Sequence, residues 1–358
     1  MKTVFDYKNE LNELTFTDAQ KEAMTERLLQ AAQPPVKKHR RFTKRSIVAV
    51  AAAVACLCAV AGAAGIPKLA SDVFAPVFGT AETEIIDKIG HPIAASDTAG
   101  GVTITADAIL GDKYHYAVVY SLEKTDGTAF DLEEIGTVGD NLLNLSFGQS
   151  DLLTGVLSGG HGVSYFYDAD PSDNAVQYVV TYESDKTLPV GGTAKATFKD
   201  LYYYPGGDYE NRQALAKGSW TLKFAMDFED ASVSLPALQN TTLNGMDVTI
   251  DAVTLSPLAL RVDYTVDSLI PRTENAADGR ETAAQSAIRD KYFGDLEITV
   301  VMTDGTAFTM DGSGGGITPD EKSGTTHCQK GNVFDRIIDL NDVASIVVQD
   351  VTIPVELS

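Results

Sequence analysis

Residues 219–228 read SWTLKFAMDF, and apolar and polar side chains alternate along the whole segment. Successive side chains of a β-strand point to opposite faces of the sheet, so this alternation predicts a strand with one buried face. The apolar side of the predicted strand consists of Trp220, Leu222, Phe224 and Met226. The segment therefore indicates a sheet that covers a core on one side and meets water on the other.

Similar segments, rich in β-branched and aromatic residues, lie on both sides of residues 219–228. The upstream ones are VTITADAIL (102–110), YHYAVVYSL (114–122), VQYVVTY (176–182) and TAKATFKDLYY (193–203). The downstream ones are VTIDAVTL (248–255), ALRVDYTV (259–266), LEITVVM (296–302) and IVVQDVTIPV (346–355). We predict a mainly β fold with two tandem immunoglobulin-like β-sandwich domains, at residues 71–232 and 235–358. A polar stretch within the second domain is expected to hold one short helix near residues 281–293.

Two internal echoes suggest that the two predicted sandwiches arose by duplication. The segment GVTI followed by ADA (101–108) resembles VTIDA (248–252), and the hexapeptide TDGTAF occurs at residues 125–130 and again at 303–308. Asp-Gly between strand-like segments is a hairpin signal, because glycine accepts a positive φ. The alternative is that similar turns arose independently. The glycine-rich segments SGGHG (158–162) and GSGGG (312–316) are predicted to be flexible turns.

An uncharged segment of 21 residues, SIVAVAAAVACLCAVAGAAGI, runs from Ser46 to Ile66. A helix of this length would extend about 30 Å, which is the thickness of the bilayer hydrocarbon region. Six Lys and Arg residues precede it at 37–45, whereas only Lys68 follows closely. The positive-inside rule then predicts a single-pass membrane protein with residues 1–45 in the cytoplasm and the C-terminal region outside the cell membrane. A cleaved secretory signal and a buried Ala-rich core helix are the alternatives.

Residues 1–45 form a stub that is too short to bury a core of its own. A capping-box pattern after Phe16 predicts a helix that ends before the Pro34-Pro35 pair. Its apolar face makes it a candidate partner-binding helix, with Phe16, Ala19, Ala23 and Leu28 as the contact residues. The alternative is a disordered tail. The basic run at 37–45 is expected to be attracted to anionic lipid.

The charge distribution and the sparse reactive residues argue against several functions. The formal net charge is -22, while residues 1–45 alone carry +4, so the rest of the chain should repel nucleic acid. The three cysteines cannot form a disulfide framework, and no second candidate cluster accompanies the adjacent His327 and Cys328. The loop DADPSDN (168–174) lacks the glycine that a calcium-binding EF-hand loop needs. We therefore predict no enzyme activity, no cofactor and no metal site.

Several segments together resemble a bacterial family of single-pass membrane proteins that carry the domain of unknown function 4179, often followed by a second β-domain. The segments are FDYKNEL (5–11), FTDAQKEAMTERLL (16–29), DVFAPVFG (72–79), GVTITADAILGDKYHYAVVYSLEKTDGTAF (101–130) and GSWTLKFAMDF (218–228). The resemblance implies an anti-sigma-like regulator whose cytoplasmic stub contacts an extracytoplasmic-function sigma factor. The stub departs from the zinc-binding anti-sigma type, because it contains His39 and no cysteine.

Two functions are consistent with these features. The first is a membrane envelope sensor or anti-sigma-like regulator that binds an unknown extracellular ligand or responds to wall stress. The second is a surface-anchored binding or structural module for cell-wall polymer or protein, in which the stub serves only to set the topology.

Overall fold

The computed structural model describes residues 68–138, 142–153, 159–170, 172–272, 281–310 and 314–357. Over these residues the chain is mainly β, as the alternating segments predict. The predicted stub at 1–45 and the predicted span from Ser46 to Ile66 lie outside the described residues. So do the candidate partner-binding residues Phe16, Ala19, Ala23 and Leu28.

None of the helices in the described part of the chain is long and apolar enough to cross a bilayer.

The first β-half, residues 90–228, contains two sheets. Its strands are β1 (Gly90–Ala99), β2 (Val102–Gly111), β3 (His115–Lys124), β4 (Thr137–Val138), β5 (Leu142–Leu143), β6 (Leu145–Leu153), β7 (Gly160–Tyr167), β8 (Ala175–Ser184), β9 (Thr193–Tyr203) and β10 (Gln213–Ala225). The larger sheet has the order β1-β2-β3-β8-β7-β5-β4, and the smaller has the order β10-β9-β6. A short helix, Leu132–Ile135, precedes β4.

The first core lies between these two sheets. Tyr120 and Tyr178 of the larger sheet make edge contacts with Phe198 of the smaller one, at centroid distances of 5.1 and 6.0 Å. The four apolar residues predicted from residues 219–228 are all buried in this core, with Trp220 fully enclosed. The predicted strand and the direction of its side chains are thus confirmed.

The second β-half, residues 233–357, also contains two sheets. Its strands are β11 (Val233–Leu235), β12 (Gln239–Leu243), β13 (Met246–Leu255), β14 (Ala259–Val266), β15 (Ile298–Met302), β16 (Ala307–Thr309), β17 (Gly314–Asp320), β18 (Thr325–Val333), β19 (Val343–Val348) and β20 (Val351–Pro354). One sheet has the order β11-β13-β14-β18-β17 with β12 also paired to β13, and the other has the order β16-β15-β19-β20. A second core, which includes Ile250, Tyr264 and Val300, separates them.

Most of the predicted segments match observed strands, and the differences have local causes. The predicted segment 346–355 is a hairpin, because Gln349 has a φ of 55° and turns β19 into β20. The predicted helix near 281–293 is confirmed as Ala283–Arg289, which the π-helical turn Asp290–Gly294 extends. The prediction of flexible turns at 158–162 and 312–316 is wrong where the chain is described, because Gly160 and Gly314 begin strands β7 and β17.

Both β-halves contain the same irregularity at the echo found in the sequence. Strand β2 has a register shift at Asp107, and β13 has one at Asp251. Each aspartate accepts a hydrogen bond from a hydroxyl 14 residues further along, Ser121 in one case and Thr265 in the other. In each case the hydroxyl belongs to the neighbouring strand, β3 or β14, and bonds to the side chain of the unpaired residue. This shared detail supports the duplication.

Two helices precede β1 and cover the outer face of the larger sheet of the first β-half. They are α1 (Ala70–Phe78) and α2 (Thr83–Ile89). Asp87 of α2 accepts hydrogen bonds from the backbone N–H and the hydroxyl of Ser71, at 2.9 and 3.0 Å. Their apolar side chains form a third core that also includes residues of the second β-half: Leu258, Ala259 and Ile337.

Candidate functional site at the contact between the two β-halves

A cluster of buried polar side chains lies where the two β-halves meet. It begins at the turn between β2 and β3, where Asp112 accepts backbone hydrogen bonds from Tyr114 and His115 at 2.8 and 2.7 Å. Aspartate favours such turns, because its short side chain can bond to the backbone two or three residues further on. The turn therefore fixes one carboxylate oxygen of Asp112 and brings His115 beside it.

The imidazole of His115 lies between two carboxylates. Its Nδ1 is 3.0 Å from Oδ1 of Asp112, and its Nε2 is 3.6 Å from Oε2 of Glu183 on β8. The side chains of all three residues are at most 4% exposed. The first distance is that of a hydrogen bond, whereas the second is that of an ion pair. His161 of β7, which is 36% exposed, lies 3.5 Å from the same oxygen of Glu183.

The second β-half provides a hydrogen-bond donor to each of these carboxylates. The hydroxyl of Ser256 donates to Oδ2 of Asp112 at 2.5 Å, and the amide of Gln329 on β18 donates to Oε1 of Glu183 at 3.1 Å. Buried carboxylates need several donors to stay ionised, and here the donors come from both sides of the contact. The cluster is thus completed only when the two β-halves are together.

Arg261 of β14 makes a third polar connection between the β-halves. Its Nη1 donates to the backbone carbonyl of Ser184 at 3.0 Å, while Nε and Nη2 donate to the carboxylate of Asp263. The guanidinium lies 4.0 Å from the centre of the Tyr114 ring. The charge of Arg261 is therefore paired within its own strand, and its contribution to the contact is a directed hydrogen bond and stacking.

Two glycines allow the strands of the two β-halves to approach this closely. A Cβ atom on Gly314 of β17 would overlap the His161 ring, and one on Gly331 of β18 would lie 2.9 Å from Oε2 of Glu183. A side chain at either position would meet these groups at less than 3 Å, so one of them would have to move. Glycine inside a strand can mark such a close approach.

The electrostatics of the cluster favour a charged histidine. Burial by itself would lower the pKa of His115, but the charge and hydrogen bond of Asp112, together with Glu183, outweigh it and raise the pKa to about 9. Burial would raise the pKa of Asp112, yet the charge of His115 and hydrogen bonds from His115, Ser256 and the Tyr114 backbone hold it below its ordinary value. At neutral pH the cluster therefore consists of an imidazolium between carboxylates.

The structure separates the residues that the sequence had singled out. His327 is exposed and contacts Thr265, whereas Cys328 is 3% exposed on the opposite side of the same strand. Asp168, Asp170 and Asp173 accept hydrogen bonds from the backbone of their own loop, as in a polar turn. In the part of the chain that the structure describes, no group of three His, Cys, Asp or Glu residues is arranged to hold a metal ion.

The three consecutive tyrosines at 202–204 form no free aromatic surface. Tyr203 is buried, and its hydroxyl lies within hydrogen-bond distance of Glu134 and Gln213, while Tyr204 bonds to Ser146. Arg212 and Lys217 both lie over the ring of Tyr202, at 4.5 and 4.4 Å from its centre. Their contacts are thus with the first β-half itself.

We expect Cys328 to be unreactive in the folded chain. Burial raises the pKa of its thiol to about 11, so little thiolate exists at neutral pH, and the sulfur is shielded from reagents. At pH 8, alkylation by iodoacetamide should be at least ~100-fold slower at Cys328 in the native chain than in the chain unfolded by urea. Mass spectrometry of the Cys328 peptide measures both rates. Equal rates would contradict the burial described here.

Sequence reasoning missed Asp112, His115, Glu183 and their partners in the second β-half. Polar residues in a hairpin turn and at a strand end are ordinarily solvated, so their presence in the sequence does not indicate a buried cluster. Their partners are far along the chain: Ser256 is 144 residues from Asp112, and Gln329 is 146 residues from Glu183. The one sign of the cluster in the sequence was the glycines of the second β-half that lie opposite it. A glycine in a strand lets another strand approach closely.

Comparison with known proteins adds little to this description. No protein-family model matches the chain, and no curated protein matches it. Among solved structures it is similar to one described as the conserved domain protein from Bacillus anthracis, with 15% sequence identity and a TM-score of 0.43. The similarity covers 72% of this chain and 76% of that one. At this level the likeness supports no inference about function.

Proposed function

We propose that the chain is a single-pass membrane sensor of the cell envelope that regulates an extracytoplasmic-function sigma factor in an anti-sigma-like manner, without catalysis. In this proposal the two β-halves are immunoglobulin-like sandwiches outside the membrane, and the stub at 1–45 contacts the sigma factor. The observation that supports it most is the position of α1, which begins four residues after the predicted span and is buried against both β-halves.

The packing of α1 would couple the outer region to the span. Phe74 is fully buried, and Phe78 stacks on it at 5.8 Å. The same core includes Leu258 and Ile337, which belong to the second β-half. Packed cores change between discrete arrangements and do not deform continuously, so a shift between the β-halves would reposition α1. A rearrangement of α1 is the simplest route by which an outside event would reach residues 1–45.

Co-purification from bacterial membranes tests the sigma-factor contact. We expect the full chain to retain a sigma factor, and we expect deletion of residues 17–29 to abolish this and to change sigma-dependent transcription. The matched control replaces residues 17–29 by an unrelated helical sequence of equal length and charge, which leaves the predicted span and the basic run intact. The proposal would be overturned if both variants retained the sigma factor. It would also be overturned if the full chain did not retain it.

A second candidate is a surface-anchored module that binds cell-wall polymer or protein. It is favoured by a cleft of about 410 Å³ on the second β-half, lined by hydroxyl and carboxylate side chains that include Thr249, Thr265, Asp247 and Asp267. Such groups suit the hydroxyls of a polymer. In this case replacing the whole stub by an unrelated basic tail would leave function intact, whereas the sensor would lose it.

A further inference from the structure

We propose that the contact between the two β-halves is a proton-operated latch, closed while His115 carries a proton between Asp112 and Glu183 and opened in alkaline solution by the loss of that proton. The latch would make alkaline pH a signal to which the outer region responds. As a signal the inference rests on the proposed sensor function, but the opening itself is a property of the β-halves alone.

The geometry requires a proton at the centre of the cluster. Nδ1 of His115 donates to Asp112, so its Nε2 must also carry a hydrogen if it is to face the carboxylate of Glu183 favourably. Among the described residues, neither Nε2 of His115 nor Oε2 of Glu183 has a hydrogen-bond partner. A neutral imidazole would therefore place a lone pair opposite a carboxylate oxygen in a site that excludes water.

Within the part of the chain that the structure describes, no other charged group packed around the cluster replaces that proton. Among the described residues, His161 is the other imidazole that lies near Glu183, but it stands at the exposed rim of the contact. Arg261 is paired with Asp263, and Lys330 points away from Glu183 and donates to the carbonyls of Phe293, Gly294 and Leu296. Lys113 lies over the Tyr114 ring at 5.1 Å, and Asp185 lies just beyond the end of β8, two residues after Glu183.

The direction of the pH effect follows from His115. A histidine whose pKa is raised stabilises the closed contact below its ordinary value of 6.5, and this stabilisation is lost as the pH rises through about 9. Asp112 stays ionised throughout this range, because its pKa is lowered. Asp107, whose pKa burial raises to about 6, titrates below it. Loss of the proton would leave two buried carboxylates beside a neutral ring, and separation of the β-halves would let water reach them.

Hydrogen exchange of the full chain in phospholipid nanodiscs, followed by mass spectrometry between pH 7.5 and 10.5 and corrected for the intrinsic rate, tests the latch. We expect peptides that contain His115, Glu183 and Gln329 to lose protection together with a midpoint near pH 9, while peptides of β9 and β15 stay protected. Glu183→Gln keeps an acceptor for Gln329 but removes one anion beside His115. The midpoint should therefore fall by about one pH unit.

His115→Gln removes the titrating group, and His327→Gln is the matched control on the exposed face of β18. At pH 7.5 we expect the contact peptides of His115→Gln to exchange as fast as those of the natural chain do at pH 10. We expect His327→Gln to exchange like the natural chain at every pH. If His115→Gln does not fold, the shift of the exchange midpoint in Glu183→Gln still tests the latch. Protection that is unchanged up to pH 10.5, or a midpoint that Glu183→Gln leaves in place, would overturn the latch. Failure of the sigma-factor co-purification would leave these exchange results unaffected.

Discussion

Replacement of Asp112 by alanine should lower the free energy of unfolding by about 3–5 kcal/mol, the cost of removing one partner from a buried ion pair. The carboxylate accepts hydrogen bonds from two backbone N–H groups, the imidazole of His115 and the hydroxyl of Ser256. Alanine would leave these four donors unpaired and His115 without its principal anion. Urea unfolding of the purified full chain in detergent, followed by circular dichroism, measures the loss.

The matched control is Asp227→Ala, because Asp227 is an exposed aspartate just beyond β10. Its replacement should change stability by no more than about 0.5 kcal/mol. The pKa of Asp112 is lowered, so its stabilisation is present above the ordinary value of 3.8 and is lost only as the pH falls through the lower folded value. The difference between the natural chain and Asp112→Ala should therefore persist at pH 5. A loss below about 1 kcal/mol at pH 7 would show that the cluster does not hold the contact together.

Replacement of Trp220 by alanine should cost about 3–5 kcal/mol through the cavity that it leaves in the first core. The side chain is fully buried, and its Nε1–H donates to the carbonyl of Val102 on the opposite sheet at 2.9 Å. Alanine removes both the packing and this donor. Trp220 is the one tryptophan of the chain, so its fluorescence reports the unfolding of the first β-half in the natural chain. The variant has no tryptophan, and its unfolding must be measured by circular dichroism.

Leu238→Ala provides the control for the loss of apolar volume alone. Leu238 is 77% exposed, so its truncation should change stability by less than about 0.5 kcal/mol. If Trp220→Ala unfolded at the same urea concentration as the natural chain, the first core would not depend on Trp220 as described.

The strands could be predicted because burial on one face imposes a two-residue period that a short sequence window shows. In β10 the burial of Trp220, Leu222 and Phe224 follows directly from the alternation in the sequence. The helices α1 and α2 gave no such signal, because each is short and their apolar side chains are buried by strands far along the chain. The sequence of residues 70–89 therefore predicted neither helix.

The buried cluster could not be predicted because its chemistry exists only after folding. Asp112 and His115 are three residues apart in an ordinary turn, and nothing local indicates that Glu183 will face them. The pairing depends on strand order, which places β8 beside β3, and on the contact with the second β-half. The predictions on the stub and the span stay predictions, since they concern residues outside those described.

The burial of α1 also bears on proteolysis, if residues 70–357 lie outside the membrane as proposed. Three residues, 67–69, separate the predicted span from Ala70, which is 1% exposed at the start of α1. Endoproteases cut accessible, unfolded backbone, and the backbone of α1 is helical and packed. On the proposed topology, a protease that cuts within α1 would first need α1 to detach from its core. Cleavage within α1 would then report the folded state of residues 70–357 and not the amount of protease.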